Sequence, residues 1–259
     1  MSLRGKVAVI TGAAGGIGLA IAQRYAADGA RVILTDVQVE AGEAEAQALT
    51  DRGLDARFRR LDASDEAAIE TLVEDIEATV GPIDIAVCSA GMARATGVFY
   101  ESETADFEAV LKLNLVGPYL MGKAVARRMV AAGRPGSIIH ISSVGAVLGV
   151  AESYAYCVSK AGLGMLTKTM ALALATHGVR VNAIGPGPTD SPMTAHLPPA
   201  ARATMLSRTP MGRFGEAAEM AGVAAFLASD DASYITGQTI YADGGRLALN
   251  YVVDAKLKA

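Results

Sequence analysis

The sequence contains no tryptophan and only two cysteines among its 259 residues. Cys88 and Cys157 stand far apart in apolar stretches, so a disulfide framework is not expected and the composition favours a reducing, cytoplasmic setting. The three histidines, His140, His177 and His196, show no metal-ligand spacing. We therefore expect no metal, and we interpret His140, which lies in a predicted strand, as a core histidine with its hydrogen bonds satisfied.

Positive charge and long apolar runs are also scarce. The formal net charge is −4, whereas nucleic-acid binders usually carry a basic stripe, so no nucleic-acid partner is expected. The least charged long stretch, residues 135–151, is interrupted by polar residues and glycines, which excludes a membrane span there. The N-terminal residues turn polar before a signal-peptide core can develop, so we expect no membrane association.

The residues that are present alternate between short apolar runs and helical patterns. Hydrophobic residues make up 51% and charged residues 19%, which fits strands buried on both faces. The order predicts an α/β fold, a doubly wound parallel sheet with helices on both faces, in one domain spanning residues 1–245. A long helix is predicted over 105–132, with a kink at Pro118. Such sheets bind ligands beyond the carboxyl ends of their strands.

A glycine-rich turn follows the first predicted strand, in the stretch Thr11-Gly-Ala-Ala-Gly-Gly-Ile-Gly18. Glycines there permit a tight turn and let a pyrophosphate approach the amides of the next helix. Asp36, at the end of the second strand, can bind a ribose 2′-hydroxyl, and it would repel a 2′-phosphate. Neither Ala14 nor Val37 supplies a compensating cation, so the predicted cofactor is NAD rather than NADP. The predicted contacts in this turn are Gly12, Gly15, Gly16, Ile17 and Gly18.

Ser143, Tyr156 and Lys160 stand at spacings of 13 and 4. A tyrosine can take the proton of an alcohol if its pKa falls from about 10, and a lysine one helical turn away can stabilise the phenolate. Tyr154 has no lysine four residues on. Both Ser142 and Ser143 follow an apolar strand, so at this level either can contact the substrate oxygen.

These motifs, together with Asn114, make the chain resemble the short-chain dehydrogenase/reductase family, from about residue 6 to residue 245. The resemblance also includes Ala90-Gly91, Pro186-Gly187 and the closing stretch GRFGEAAEMAGVAAFLASDDASYITGQTIYADGG. It implies a seven-stranded Rossmann sheet, a nicotinamide cofactor and a homotetramer.

The resemblance also implies roles. Ser143 rather than Ser142 would hold the substrate oxygen, Lys160 would also bind the nicotinamide ribose, and Asn114 would position a water that passes protons towards Lys160. Further cofactor contacts are implied at Asp62, Ala63, Ser89, Ala90, Gly91, Pro186, Gly187 and Thr189, besides Tyr156 and Lys160. One departure is visible, because Cys88-Ser89 stands where the family often has Asn-Asn. We interpret Cys88 as a small buried hydrophobe rather than a reactive thiol.

The substrate is less closely defined. Residues 189–213 are predicted to form a lid, and Arg94, Glu152 and His196 are candidates for selecting a polar substrate. An NAD site favours oxidation, so a sugar or polyol is the leading class. A 3-oxoacyl thioester reductase and a hydroxysteroid-type dehydrogenase are alternatives, and a dinucleotide-binding sensor without turnover is an alternative of another kind.

The stretch after residue 245 alternates apolar residues at Leu247, Leu249, Tyr251 and Val253. This pattern suits an extended segment with one buried face. The tail, residues 246–259, is predicted to pack on a neighbouring subunit near its active site, and the alternatives are packing on its own subunit or disorder.

Overall fold

The computed structural model describes residues 2–94 and 97–250. Within these residues, seven strands form one parallel sheet in the order β3-β2-β1-β4-β5-β6-β9, and β7 and β8 form a separate parallel pair. The strands are β1 (Val7–Thr11), β2 (Arg31–Asp36), β3 (Ala56–Arg60), β4 (Ile85–Cys88), β5 (Gly136–Ile141), β6 (Val179–Pro186), β7 (Thr189–Asp190), β8 (Gly215–Glu216) and β9 (Thr239–Ala242). This topology confirms the predicted doubly wound sheet.

Helices cover both faces of the sheet. They are α1 (Gly16–Ala27), α2 (Val39–Asp51), α3 (Glu66–Thr79), α4 (Thr104–Leu111), α5 (Gly117–Ala131), α6 (Tyr154–Leu174), α7 (Pro199–Leu206) and α8 (Ala217–Ala228). One apolar core lies between the sheet and α1, α2 and α8, and a second lies between the sheet and α3, α5 and α6. No helix in the described part of the chain is long and apolar enough to cross a bilayer.

The central strand β1 explains why the sheet is buried on both sides. All five of its residues, VAVIT, are buried, and their alternate side chains enter the two cores. A continuous apolar run of this kind is typical of a parallel strand covered by helices on both faces. The carboxyl ends of β1, β4, β5 and β6 therefore share one edge of the sheet.

The prediction of one helix over residues 105–132 is wrong in one respect. It is divided into α4 and α5 by a π-helical turn, Lys112–Val116, which contains Asn114. Pro118 lies in the first turn of α5, where the missing N–H of a proline breaks no helical hydrogen bond. The helix is therefore interrupted before Pro118 and is not kinked at Pro118. Single π-helical turns occur frequently at functional sites.

The predicted lid, residues 189–213, contains more regular structure than the sequence indicated. It begins in β7 and includes α7, and the chain returns through β8, which pairs with β7. Arg202 of α7 forms an ion pair with Asp190 and lies 3.9 Å from the ring centroid of Phe214. Residues 251–259 of the predicted tail lie outside the described residues, so its packing stays a prediction.

Candidate active site

The glycine-rich turn between β1 and α1 is packed so closely that two of its glycines have no room for a side chain. A Cβ at Gly18 would lie 2.2 Å from the Gly12 carbonyl oxygen, and a Cβ at Gly12 would lie 2.7 Å from the Ala90 Cα. Gly12 also has a φ of 66°, in the left-handed region. At Gly15 and Gly16, by contrast, only lid residues such as Pro192 approach, at 3.5 Å or more. The turn is therefore tight at its base and open where it faces the lid, as a pyrophosphate site requires.

Asp36 lies beside this turn at the carboxyl end of β2. Its Oδ2 accepts a hydrogen bond from the Ala14 amide at 3.2 Å, and its Oδ1 accepts one from the Gln38 amide at 3.0 Å. The carboxylate is thus fixed next to the glycine-rich turn, and each oxygen keeps a further lone pair for a ribose hydroxyl.

Asp62 and Ala63 lie at the end of the neighbouring strand β3. Asp62 is exposed, and hydrogen bonds from the backbone and hydroxyl of Ser64 lower the pKa of its carboxyl. Ala63 is buried, and its carbonyl would lie 2.4 Å from a Cβ at Gly117. This edge therefore packs against the start of α5 and presents Asp62 to solvent.

Thr11 joins the two strands that border the site, and the sequence reasoning missed it. Its buried hydroxyl accepts hydrogen bonds from the amides of Ser89 and Ala90, both at 3.1 Å. A hydroxyl residue directly before a glycine turn was the signal available in the sequence. The contact fixes the segment that carries Gly91 against the end of β1.

Ser142 and Ser143 have different environments at the end of β5. Ser142 is buried and donates to the Lys160 carbonyl at 3.2 Å. Ser143 is partly exposed, accepts from the Gly145 amide at 3.0 Å and shares a hydrogen bond with the Tyr156 hydroxyl. Of the two serines, only Ser143 therefore places its hydroxyl beside the hydroxyl of Tyr156.

Tyr156 and Lys160 both lie on α6, and burial shifts the pKa of each side chain towards its neutral form. Lys160 is buried, its Nζ donates to the Ile141 carbonyl at 2.8 Å, and burial lowers the pKa of its amine to about 8. Its Nζ lies 5.6 Å from the centroid of the Tyr156 ring. Although the ring is only partly buried, desolvation raises the pKa of Tyr156, and the hydrogen bond with Ser143 only partly opposes this. Burial thus raises the pKa of the phenol, and the stabilisation of the phenolate that Lys160 was expected to provide stays a prediction.

Asn114 is fully buried in the π-helical turn, and its side chain bonds to two other segments. Its Oδ1 accepts from the Met92 amide at 2.8 Å, while its Nδ2 donates to the Met92 carbonyl at 2.9 Å and to Ser159 Oγ at 3.2 Å. A Cβ at Gly91 would lie 3.2 Å from Asn114 Oδ1 and 3.5 Å from Lys160 Nζ. The missing side chain at Gly91 thus leaves a space that both polar groups border.

Pro186, Gly187 and Thr189 continue the site from the end of β6. The Thr189 hydroxyl donates to the Gly187 carbonyl at 3.0 Å. A Cβ at Gly187 would lie 2.6 Å from the Asp243 Cα, so this turn packs closely on the segment after β9. These three residues therefore lie where the sheet edge meets the predicted lid.

The three substrate-selecting candidates lie on three separate segments. Arg94 forms an ion pair with Asp106, so its charge is already partly neutralised. Glu152 is exposed before α6, and His196 is exposed in the lid. Their role in substrate selection stays a prediction.

Cys88 and His140 are neighbours in the register of β4 and β5, behind Lys160. Burial raises the pKa of the Cys88 thiol to about 12, which fits a small hydrophobe rather than a nucleophile. His140 was expected to be a satisfied core histidine, and this is only half correct. Its Nδ1 lies 2.9 Å from Thr167 Oγ1, but among the described residues its Nε2 has no partner. Burial and the charge of Lys160 lower its pKa to about 3, so it is neutral.

Within residues 2–94 and 97–250, no group of three or more histidine, cysteine, aspartate or glutamate side chains could hold a metal ion.

A substitution at Gly18 tests the tight base of the turn. We expect Gly18→Ala to weaken dinucleotide binding at least 50-fold or to unfold α1, because the added Cβ would collide with the Gly12 carbonyl. Thermal unfolding and isothermal titration calorimetry with NAD measure the two effects. Gly222→Ala is the matched control, since Gly222 is also helical but has open space around it. Wild-type NAD affinity in Gly18→Ala would contradict the proposed packing.

A parallel sheet, a glycine-rich turn at its carboxyl edge and a tyrosine, lysine and serine beside that turn are together typical of dinucleotide-dependent oxidoreductases of the Rossmann type. A family model described as enoyl-(acyl carrier protein) reductase matches residues 12–246. The chain belongs to the short-chain dehydrogenase/reductase family.

The names of individual relatives refer to chemically different substrates. The chain is 41% identical to cis-4-hydroxycyclohexanecarboxylate dehydrogenase of Sinomonas cyclohexanicum, over 94% of this chain and 97% of that protein. It is 42% identical to a 3-oxoacyl-(acyl-carrier-protein) reductase of Thermotoga maritima, over 95% and 99%. A crystal structure of a gluconate 5-dehydrogenase from Burkholderia cenocepacia, in complex with NADP and tartrate, has a TM-score of 0.91 and 34% identity, covering 96% of this chain and 97% of that one.

Proposed function

We propose that this oxidoreductase is an NAD-dependent dehydrogenase that interconverts a secondary alcohol and a ketone, with Tyr156 as the acid and base. The observation that carries the proposal is the hydrogen-bonded pair of Ser143 and Tyr156, with buried Lys160 beside it, at the carboxyl edge that also holds the glycine-rich turn. A dinucleotide sensor without turnover has no need of such a group.

Each residue has a part in the proposed reaction. Ser143 hydrogen-bonds the substrate oxygen and Tyr156 removes the hydroxyl proton. Lys160 supplies a positive charge near the phenolate and holds the nicotinamide ribose. Asn114 positions a water in the space beside Gly91, and this water passes protons towards Lys160. NAD, which the glycine-rich turn, Asp36 and Lys160 would hold, would supply the hydride acceptor and a positive charge that favours the phenolate.

The preference for NAD over NADP is also a proposal, supported by the fixed carboxylate of Asp36. A 2′-phosphate placed at that carboxylate would be repelled. One neighbouring cation acts against the preference, because exposed Arg60 is the register partner of Asp36 on β3. A gluconate 5-dehydrogenase of similar structure was crystallised in complex with NADP, so the preference has to be tested with both dinucleotides.

For the substrate, we propose a sugar or polyol as the first class to test. The preference for NAD and the likeness to a gluconate 5-dehydrogenase support it. A second class, alcohols on a hydrocarbon frame such as cyclic hydroxy acids or 3-hydroxyacyl thioesters, is supported by exposed apolar residues that follow Ser143 in the chain or pack against Tyr154. Val147 and Val150 follow Ser143, and exposed Phe99 packs edge-on against Tyr154, 5.1 Å between ring centroids.

A substrate screen tests the function and separates these classes. The purified protein is incubated with NAD and polyols, aldonic acids, cyclic hydroxy acids, hydroxysteroids or 3-hydroxyacyl thioesters, and NADH absorbance is followed. Turnover of at least one alcohol class is expected, with kcat/KM ranking the classes. Tight NAD binding without turnover of any compound would overturn the proposal in favour of a sensor.

We also propose that the protein assembles as a cytoplasmic homotetramer. Exposed apolar residues on α5 and α6, among them Tyr119, Met165 and Leu172, are consistent with an interface between subunits. Sedimentation analysis of the full chain tests this, and a monomer at micromolar concentration would rule it out.

The pH dependence should differ between the two directions of the reaction. Oxidation needs the deprotonated phenol, and the raised pKa of Tyr156 means that this form increases with pH throughout the neutral range. We expect kcat/KM for oxidation to rise from pH 6 and to level off above about 8, where Lys160 loses its charge. Reduction needs the protonated phenol, so its kcat/KM should not rise over the same range. A pH-independent oxidation rate, with hydride transfer limiting, would contradict the assignment.

A further inference from the structure

Ser159 is a fully buried residue of α6 that lies between Tyr156 and Lys160 in the chain but that the reaction proposed above does not use. Its hydroxyl donates to the Tyr156 carbonyl at 2.7 Å and accepts from Asn114 Nδ2 at 3.2 Å. The second bond joins positions 45 residues apart in the chain. Ser159 therefore connects the helix of the proposed base to the π-helical turn.

The connection extends to the segment after β4. Asn114 clamps the Met92 peptide through both its amide hydrogen and its carbonyl, at 2.8 and 2.9 Å. The resulting chain of hydrogen bonds runs from Met92 through Asn114 and Ser159 to the carbonyl of Tyr156. All of its side-chain members are buried, so water competes poorly for these bonds.

Serine and threonine often bond to a carbonyl of the preceding helical turn, so the bond to Tyr156 alone has little meaning. Thr167 of the same helix is the local example, since its hydroxyl donates to the Leu163 carbonyl at 2.8 Å and also lies 2.9 Å from His140 Nδ1. What distinguishes Ser159 is that its second partner is Asn114, which borders the space beside Gly91 and Lys160 Nζ. Movement of Asn114 relative to α6 would change that space.

We propose that Ser159 is a positioning residue that holds the Tyr156 backbone in register with Asn114, and so fixes the proton path relative to the base. The inference rests on the proposed function for its catalytic consequence, but the hydrogen-bond chain itself can be measured without turnover. Ser159 touches neither substrate nor cofactor in this role.

Two substitutions separate the hydrogen bonds from packing. Ser159→Ala removes both bonds, and Ser159→Cys keeps a side chain of similar size with much weaker hydrogen bonding. We expect each to lower kcat about 5- to 20-fold while the NAD dissociation constant stays within about twofold, because small displacements of positioned groups mainly affect the chemical step. The solvent deuterium isotope effect on kcat should increase, as proton transfer becomes more rate-limiting.

Thr167→Val is the matched control, because it removes another buried hydroxyl from the same helix outside the chain that reaches Tyr156. It should lower the melting temperature but leave kcat within about twofold. Equal losses of kcat in Thr167→Val and Ser159→Ala would overturn the proposal, as would wild-type kcat in Ser159→Ala or in Ser159→Cys.

Hydrogen exchange at the Met92 amide provides the test that is independent of activity. In the full-length protein, Ser159→Ala should accelerate exchange at Met92 and in residues 112–117 at least fivefold, because Asn114 loses one of its three anchors. Thr167→Val should not change it. Unchanged exchange in Ser159→Ala overturns the inference even if the enzyme is active. Accelerated exchange in a protein that turns over no alcohol supports the hydrogen-bond link while the proposed function fails.

Discussion

Replacing Tyr156 with phenylalanine should lower kcat for alcohol oxidation at least 100-fold while leaving the NAD dissociation constant within about twofold, since positioned acid and base catalysis is typically worth about 10²–10⁴-fold. The substitution removes only the hydroxyl that shares a hydrogen bond with Ser143. The ring that lies near Lys160 is retained. Steady-state kinetics with the best alcohol from the screen, together with isothermal titration calorimetry with NAD, measure the two quantities.

Tyr25→Phe is the matched control for the loss of a phenol hydroxyl. Tyr25 is fully buried on α1, and its hydroxyl donates to the Ala224 carbonyl at 2.8 Å. It lies in the core between the sheet and α1, α2 and α8, whereas Tyr156 lies on α6. Its substitution should reduce stability by about 1 kcal/mol without reducing kcat appreciably. If Tyr156→Phe kept more than a tenth of the wild-type kcat with NAD bound, Tyr156 would not be the base.

Replacing Asp36 with alanine should reduce the preference for NAD over NADP, expressed as the ratio of kcat/KM values, about 100-fold or more. The loss of a poorly screened repulsion at close range amounts to several kcal/mol, and each 1.4 kcal/mol is about tenfold. NAD binding should also weaken, because two lone pairs that can accept from the ribose are removed. Dissociation constants for both dinucleotides show whether binding or turnover changes.

Two further variants make the Asp36 result specific. Glu40→Ala removes an exposed acid in the first turn of α2 and should leave the ratio unchanged. Arg60→Ala should selectively weaken NADP binding in the Asp36→Ala background, since Arg60 is the register partner of position 36. A wild-type protein that used NADP as well as NAD would contradict the assignment before any substitution was made.

The fold was predictable because its signals are local. Apolar runs with no charged residue define β1 and β4, and helical spacing closed by glycine defines α1. The division of residues 105–132 was not predictable, because the π-helical turn is stabilised by contacts of Asn114 with Met92 and Ser159, which are distant in the chain. Helical periodicity continues through such a turn and does not reveal it.

The candidate site shows the same limit. Sequence spacing placed Ser143, Tyr156 and Lys160 near one another, and the hydrogen bond and the 5.6 Å distance agree with that placement. The pKa directions were not available from the sequence, because they depend on desolvation, and desolvation depends on what packs around each group. The unpartnered Nε2 of His140 was missed for the same reason. A strand histidine looks satisfied until the neighbouring strand, which here contributes Cys88, is known.

The direct pairing of β7 with β8 has a consequence for how substrate range can change. Because Thr189–Asp190 and Gly215–Glu216 are hydrogen-bonded to each other, the 191–214 segment, which includes α7, leaves and rejoins the fold at strands that are already paired. The entropy of closing a loop grows only slowly with its length, so segments of other lengths can be grafted between these strands at a cost of about 0.6 kcal/mol per doubling. We therefore expect that the predicted lid can be replaced as one unit without altering the sheet edge that carries the glycine-rich turn and Ser143.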